Sequence, residues 1–67
     1  MHLRINGKEA ELAATTIAEL LAEQGIDPQT RFLAVAVNGS VVRRAEWPMS
    51  PIAAGDNVEI VRPFQGG

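Results

Sequence analysis

The chain of 67 residues closes on Arg62-Pro63-Phe64-Gln65-Gly66-Gly67, and the group there with the plainest chemistry is the terminal carboxyl. A terminal carboxyl ionises with a pKa of roughly 3.3–3.7, so at neutral pH it is a carboxylate. That carboxylate is a poor electrophile but an adequate nucleophile toward the α-phosphate of ATP. Adenylation would turn it into a mixed anhydride that a sulfur or nitrogen nucleophile can attack. Such steps need access more than side chains. The residues from Pro63 onward, fully extended, span at most ~17 Å, enough to thread into a partner's active site. Gly66 and Gly67 have no Cβ, so the backbone fits a narrow channel, and Pro63 fixes φ where the tail departs. Taken alone the signal is weak: with glycine near 7% of residues, about one chain in two hundred ends this way.

Other residue types offer less. His2 reads as an exposed strand residue and cannot build a metal site alone. Glu9, Glu11 and Glu59 occupy outward strand positions with no pocket to make them a catalytic pair. Arg43, Arg44 and Arg62 are solvated strand-edge arginines or contacts to an acidic partner, and Arg62 stands closest to the tail. Trp47 either anchors an interface or covers the open end of a thin core. Phe64 either packs back on the sheet or plugs into a partner. Ala34, Ala36 and Val61 form a small apolar strip facing away from the helix.

Composition sets the frame. One short domain is expected, burying only ~60% of its unfolded surface. There is no cysteine for a disulfide or a thiolate site. Six Lys and Arg against eight Asp and Glu give a net charge of −2, unlike the basic face of a nucleic-acid binder. No apolar run is long enough to span a bilayer and no signal-peptide pattern opens the chain. The expected location is the cytoplasm, with neither nucleic acid nor membrane as partner.

The elements that must hold the terminus follow from periodicity. "MHLRING" alternates Met1, Leu3 and Ile5 against His2, Arg4 and Asn6, a half-buried strand, and Asn6-Gly7 is a hairpin turn into "KEAEL". Ile17, Leu20 and Leu21 make one stripe of a short helix, with Thr16 and Glu19 as a capping box and Gly25-Ile26 as its stop. "RFLAVAVNG" is the most apolar strand, turning at Asn38-Gly39 into "SVVR". "RAEWPMSPIAAGD" reads as a loop with room for one helical turn, and "NVEIVR" is the last strand. One helix covers one face of one sheet. The expected fold is therefore α+β, a β-grasp (ubiquitin-like) four- to five-stranded mixed sheet packed on one short helix, with the first and last strands side by side. It spans residues 1–62, with 63–67 a flexible Gly-Gly tail. The expected core is Leu3, Ile5, Leu12, Ile17, Leu20, Leu21, Val35, Val37, Val58 and Ile60.

Over its whole length the chain resembles the ubiquitin-like sulfur carrier proteins of thiamine (thiazole) biosynthesis. The resemblance rests on "VNGSVVRRAEW", "AGDNVEIVR", the closing "GG" and the length. In that family an Asn-Gly turn is followed by Val, commonly Pro-Arg, then Trp; Asn38-Gly39, Val42, Arg44 and Trp47 match, while Arg43 stands where proline is common. The resemblance implies that an ATP-dependent activating (adenylating) enzyme adenylates the Gly67 carboxylate. A sulfur donor enzyme then makes the thiocarboxylate, and thiazole synthase receives the sulfur. Gly67, accompanied by Gly66, is the site that carries over. The chain itself is a co-substrate, not an enzyme, and binds no cofactor or metal; ATP and its magnesium belong to the activating enzyme. Partner contacts are expected at Arg62, Pro63 and Phe64. The alternatives are the small subunit of molybdopterin synthase, whose members tend to be longer, a ubiquitin-like protein modifier, and a binding module with an inert tail.

Overall fold

The computed structural model describes residues 1–62. Pro63, Phe64, Gln65, Gly66 and Gly67, and with them the expected tail, lie outside the described residues.

Five strands and one α-helix follow in the order β1 (His2–Ile5), β2 (Lys8–Glu11), α1 (Ile17–Glu23), β3 (Ala34–Val37), β4 (Ser40–Val42) and β5 (Asn57–Val61). The strands form one mixed sheet in the order β2-β1-β5-β3-β4. β1 and β5 run parallel at its centre, and the other three pairings are antiparallel. This is the β-grasp arrangement that the sequence led us to expect.

Register turns the alternating sequence into two faces. Val35 pairs with both Val42 and Ile60, and Val37 with Val58, which itself faces Ile5. These side chains look toward α1, whose Ile17, Leu20 and Leu21 are fully buried. Each such aliphatic contributes ~1.5–3 kcal/mol on burial. The core is larger than periodicity indicated. Ala14, Ile26, Leu33, Trp47 and Ile52 join it, while Ile5 and Val37 pack against it half-buried.

The helix ends as its caps dictate. The Thr16 hydroxyl accepts from the Glu19 N–H, but the Glu19 carboxylate reaches one residue further back than a regular capping box. It accepts from the Thr15 N–H at 2.8 Å and the Thr15 hydroxyl at 2.9 Å. Thr16 is held otherwise: it forms an isolated bridge with Pro51, flanked by Ile17 N–H to Ser50 O and Ile52 N–H to Thr15 O. At the other end Gly25 (φ +75) donates to Ala22 O and Ile26 to Leu21 O. That pair of bonds is a Schellman close, with Ile26 buried against the last turn. Glu23 ties the preceding loop to the helix by accepting from the Ala13 and Ala14 N–H groups.

Two segments depart from the sequence reading. Residues Arg44–Met49, read as loop with room for one helical turn, form a six-residue 3-10 helix with Pro48 inside it and Trp47 buried. Arg31-Phe32-Leu33, read as the start of the central strand, lies outside it. β3 begins at Ala34 because Phe32 adopts φ +63, which no strand residue can, while Leu33 turns into the core.

Candidate functional site: the tail-bearing end of the sheet

β5 carries the chain toward Pro63, and its backbone is held on both sides. Along β3 the register runs through four pairs, from Val37↔Val58 to Ala34↔Val61. Along β1 it has only two, Arg4↔Asn57 and Ile5↔Val58, because β1 ends at Ile5. Asn6 takes over from there. Its backbone N–H donates to Val58 O at 2.8 Å. Its side chain accepts from Ile60 N–H at 2.8 Å and donates to Ile60 O at 3.2 Å. An asparagine amide here imitates a strand residue, satisfying both backbone groups of Ile60.

The second turn asparagine does related work at the start of β5. Asn38 accepts from Asn57 N–H at 2.9 Å, donates its side-chain amide to Asp56 at 3.0 Å, and donates its own N–H to Asn57 O at 2.7 Å. Asp56 in turn accepts from Ala53 N–H at 2.8 Å. Both asparagines have φ +51, the left-handed conformation that asparagine tolerates. Sequence reasoning saw these residues only as turn formers. The choice of Asn over Asp in both turns was the available signal, since only the amide both donates and accepts.

The outward face near this end carries small apolar residues around one carboxylate, Glu59, which pairs with Ala36. Ala34 faces Val61, and Ala36 faces Val41 across the β3–β4 pair. Val41 is 76% exposed and Val61 62%. The expected strip of Ala34, Ala36 and Val61 is present, and Val41 extends it to the sheet edge.

Arginines surround this end. Arg62, the last described residue, is exposed, as are Arg31 and Arg43. Among the described residues no arginine pairs with a carboxylate; the ion pairs there are Met1 amino group to Glu11, His2 to Glu9 and His2 to Glu11. Arg44 has a different task from its neighbour. It donates to Pro28 O and to Thr30 O and lies 4.9 Å over the Trp47 ring, fastening the 27–30 loop to the 3-10 helix. Trp47, buried and donating from Nε1 to Val42 O at 2.9 Å, covers the core and is not a surface anchor.

His2, Glu9 and Glu11 lie far across the sheet on β1 and β2. Hydrogen bonds donated to Glu9 and then Glu11 raise the His2 pKa above its ordinary 6.5. Glu9 is lowered chiefly by His2, and Glu11 chiefly by the Met1 amino group and then His2. All three are open to solvent and make a surface cross-strand cluster. Among the described residues there is no enclosed pocket and no set of three side chains suited to a metal. No helix is long and apolar enough to cross a membrane.

Of the residues expected to act, the structure thus places Arg62 at the exit of β5, beside the apolar strip. Pro63, Phe64, Gly66 and Gly67 lie beyond the described residues. The geometry is a braced strand that ends at Arg62, beside a largely apolar outward face with exposed arginines around it.

Comparison with known proteins gives this end a context. The chain is 35% identical over 63 residues to the sulfur carrier protein ThiS of Thermus thermophilus, covering 94% of this chain and 95% of that one. The crystal structure of a thiamine biosynthesis protein (ThiS) from Geobacter metallireducens superposes with a TM-score of 0.81 at 28% identity, with full coverage of both chains. The solution structure of a thiamine biosynthesis protein from the same organism gives 0.79 at 28% identity, covering all of this chain and 88% of that one. A family model described as the ThiS family matches residues 3–67. The chain belongs to the ThiS family.

Proposed function

We propose that the chain carries sulfur for the thiazole of thiamine, with the Gly67 carboxylate as its working group. The carboxylate oxygen attacks the α-phosphate of ATP on an activating enzyme and pyrophosphate leaves. A sulfur nucleophile supplied by a donor enzyme then displaces AMP from the acyl carbon, leaving a thiocarboxylate. Thiazole synthase takes the sulfur, and hydrolysis at the acyl carbon returns the carboxylate. ATP and magnesium are bound by the activating enzyme, and the chain acts as a co-substrate in the cytoplasm.

The observation that carries this reading is the family match running through Gly66 and Gly67, on a chain end that β5 presents at the rim of the sheet. Each element of the fold supports that presentation. Burying α1 against the sheet fixes β5, Asn6 and Asn38 brace its two ends, and the outward strip gives partner enzymes a dry surface near the exit. Arg62, Pro63 and Phe64 lead the glycines from that surface into the partner's active site.

The test is genetic and direct. The chain restores growth of a thiamine auxotroph lacking its own sulfur carrier, and a version without Gly66 and Gly67 does not. Rescue of a molybdenum-cofactor mutant in place of the thiamine auxotroph would move the chain to molybdopterin synthesis. Rescue by the truncated version would remove the terminus from the account.

A further inference from the structure

Phe32 is at odds with its surroundings. A phenylalanine at φ +63 is in the left-handed region, where the Cβ of a bulky residue crowds the backbone. Residues persist in that region when something outside local preference selects them, and such outliers gather at binding and switch sites. Folding accounts for the turn, since Leu33 enters the core and Arg44 holds the Pro28 and Thr30 carbonyls just before it, but not for a phenylalanine at the turn. Phe32 is 76% exposed, as open as any large apolar side chain of the described residues, so its ring stabilises the free domain little. The Arg31 guanidinium stands 5.5 Å from the ring centroid.

Position gives the pair its meaning. Ala34 faces Val61 across the β3–β5 ladder, so Arg31 and Phe32 enter the sheet beside the place where Arg62 leaves it. Phe32 stands two residues before Ala34, at the end of the strip formed by Ala34, Ala36, Val41 and Val61. Exposed Arg31, Arg43 and Arg62 outnumber the single carboxylate of the strip, Glu59 beside Ala36, on a chain whose overall charge is −2. A matching surface is apolar at its centre and carries carboxylates at its rim. Exposed aromatic and arginine side chains beside one another are the types that dominate binding energy at protein interfaces.

Building on the reading that Gly67 is adenylated, we propose that Phe32, backed by Arg31, is the anchor by which the domain docks on the activating enzyme. The ring seats in an apolar pocket with acidic residues facing Arg31 and Arg62. Adenylation is the step that most needs such an anchor. It brings an anionic carboxylate up to the polyanionic triphosphate of ATP, and that repulsion must be overcome by binding energy gathered away from the reacting atoms. A cationic, apolar contact at the root of the tail supplies it without touching the chemistry.

The experiment uses the full chain with the activating enzyme and measures ATP–pyrophosphate exchange as a function of carrier concentration. Phe32→Gly accepts φ +63 without crowding, so the free variant melts no lower than the parent. Its KM as carrier rises about tenfold or more with kcat little changed, the size expected of an interface anchor. Phe32→Tyr restores a KM near the parental one, and Arg31→Glu raises KM as Phe32→Gly does. An unchanged KM for Phe32→Gly overturns the proposal, and so does a lower melting temperature, which would make the ring part of the fold. A defect confined to sulfur delivery to thiazole synthase overturns the assignment to the activating enzyme. Failure of the parent chain to support any exchange is a separate result: it removes the adenylation reading, and this inference falls with it.

Discussion

The side chain of Asn6 closes both backbone hydrogen bonds of Ile60, accepting from its N–H at 2.8 Å and donating to its carbonyl at 3.2 Å across 54 residues of sequence. Strand β1 ends too early to pair the last residues of β5, and this amide fills the gap. Asn6→Gly separates the two uses of the residue. Glycine is at ease at φ +51 but offers no amide, leaving the backbone groups of a 6% exposed residue unpaired. The loss expected is about 1–3 kcal/mol in chemical denaturation. A variant as stable as the parent would show that the residue serves the turn alone.

Arg44 fastens the 27–30 loop through two carbonyls, a task for which the planar guanidinium fork is suited and a lysine is not. Arg44→Lys should cost about 1 kcal/mol of stability and speed hydrogen exchange in residues 28–33, with the rest of the sheet unaffected. Uniform exchange across the chain would argue against a local clasp.

Stability should depend on pH through the β1–β2 surface cluster. His2 is raised above 6.5 by Glu9 and Glu11, so its contribution is full below that value and fades as pH climbs through the raised pKa. Glu9 and Glu11 are lowered from 4.5, by His2 and by the Met1 amino group respectively, and Glu19 by the Thr15 backbone. Their contributions are full above 4.5 and fade as pH falls through the lowered values. The cluster therefore stabilises most between those two ordinary pKa values. His2→Gln should flatten the alkaline side of the melting profile, and high salt should weaken the whole effect because the groups are solvated. An alkaline slope that survives the substitution would place its source elsewhere.

Val41 tests the outward strip. It is 76% exposed and faces Ala36, so Val41→Glu should change stability by no more than about 1 kcal/mol. It should raise the carrier concentration needed for half-maximal exchange by the activating enzyme, because it sets a charge in a dry contact. Unchanged kinetics would take β4 out of the interface.

The sequence carried the architecture well because two signals coincide in it. Strict alternation in "HLRI" and "NVEIV" fixes which face is buried, and the 3.6 spacing of Ile17, Leu20 and Leu21 is unmistakable beside them. Asn-Gly turns then leave few topologies for so short a chain. What escaped is what periodicity does not encode. The 3-10 helix at Arg44–Met49 is held by long-range contacts of Trp47 and Arg44, and its proline reads locally as loop. Phe32 looks like a strand aromatic by type, and only its backbone reveals the turn. The side chains of Asn6 and Asn38 act on residues distant in sequence, so their turn propensity concealed their bracing role. Arg62 follows directly on β5, and the glycines of the candidate site stand on their chemistry and on the family match.

The central claim is that Gly67 is the group that is activated and sulfurated. Intact-mass analysis of the chain, incubated with ATP, an activating enzyme and a sulfur donor, tests it most directly. The account predicts a species heavier by the exchange of one oxygen for sulfur, localised to Gly67 by fragmentation, and absent when a residue is appended after Gly67. ATP turnover in the presence of the chain with no such species, or sulfur found on any other residue, would contradict it.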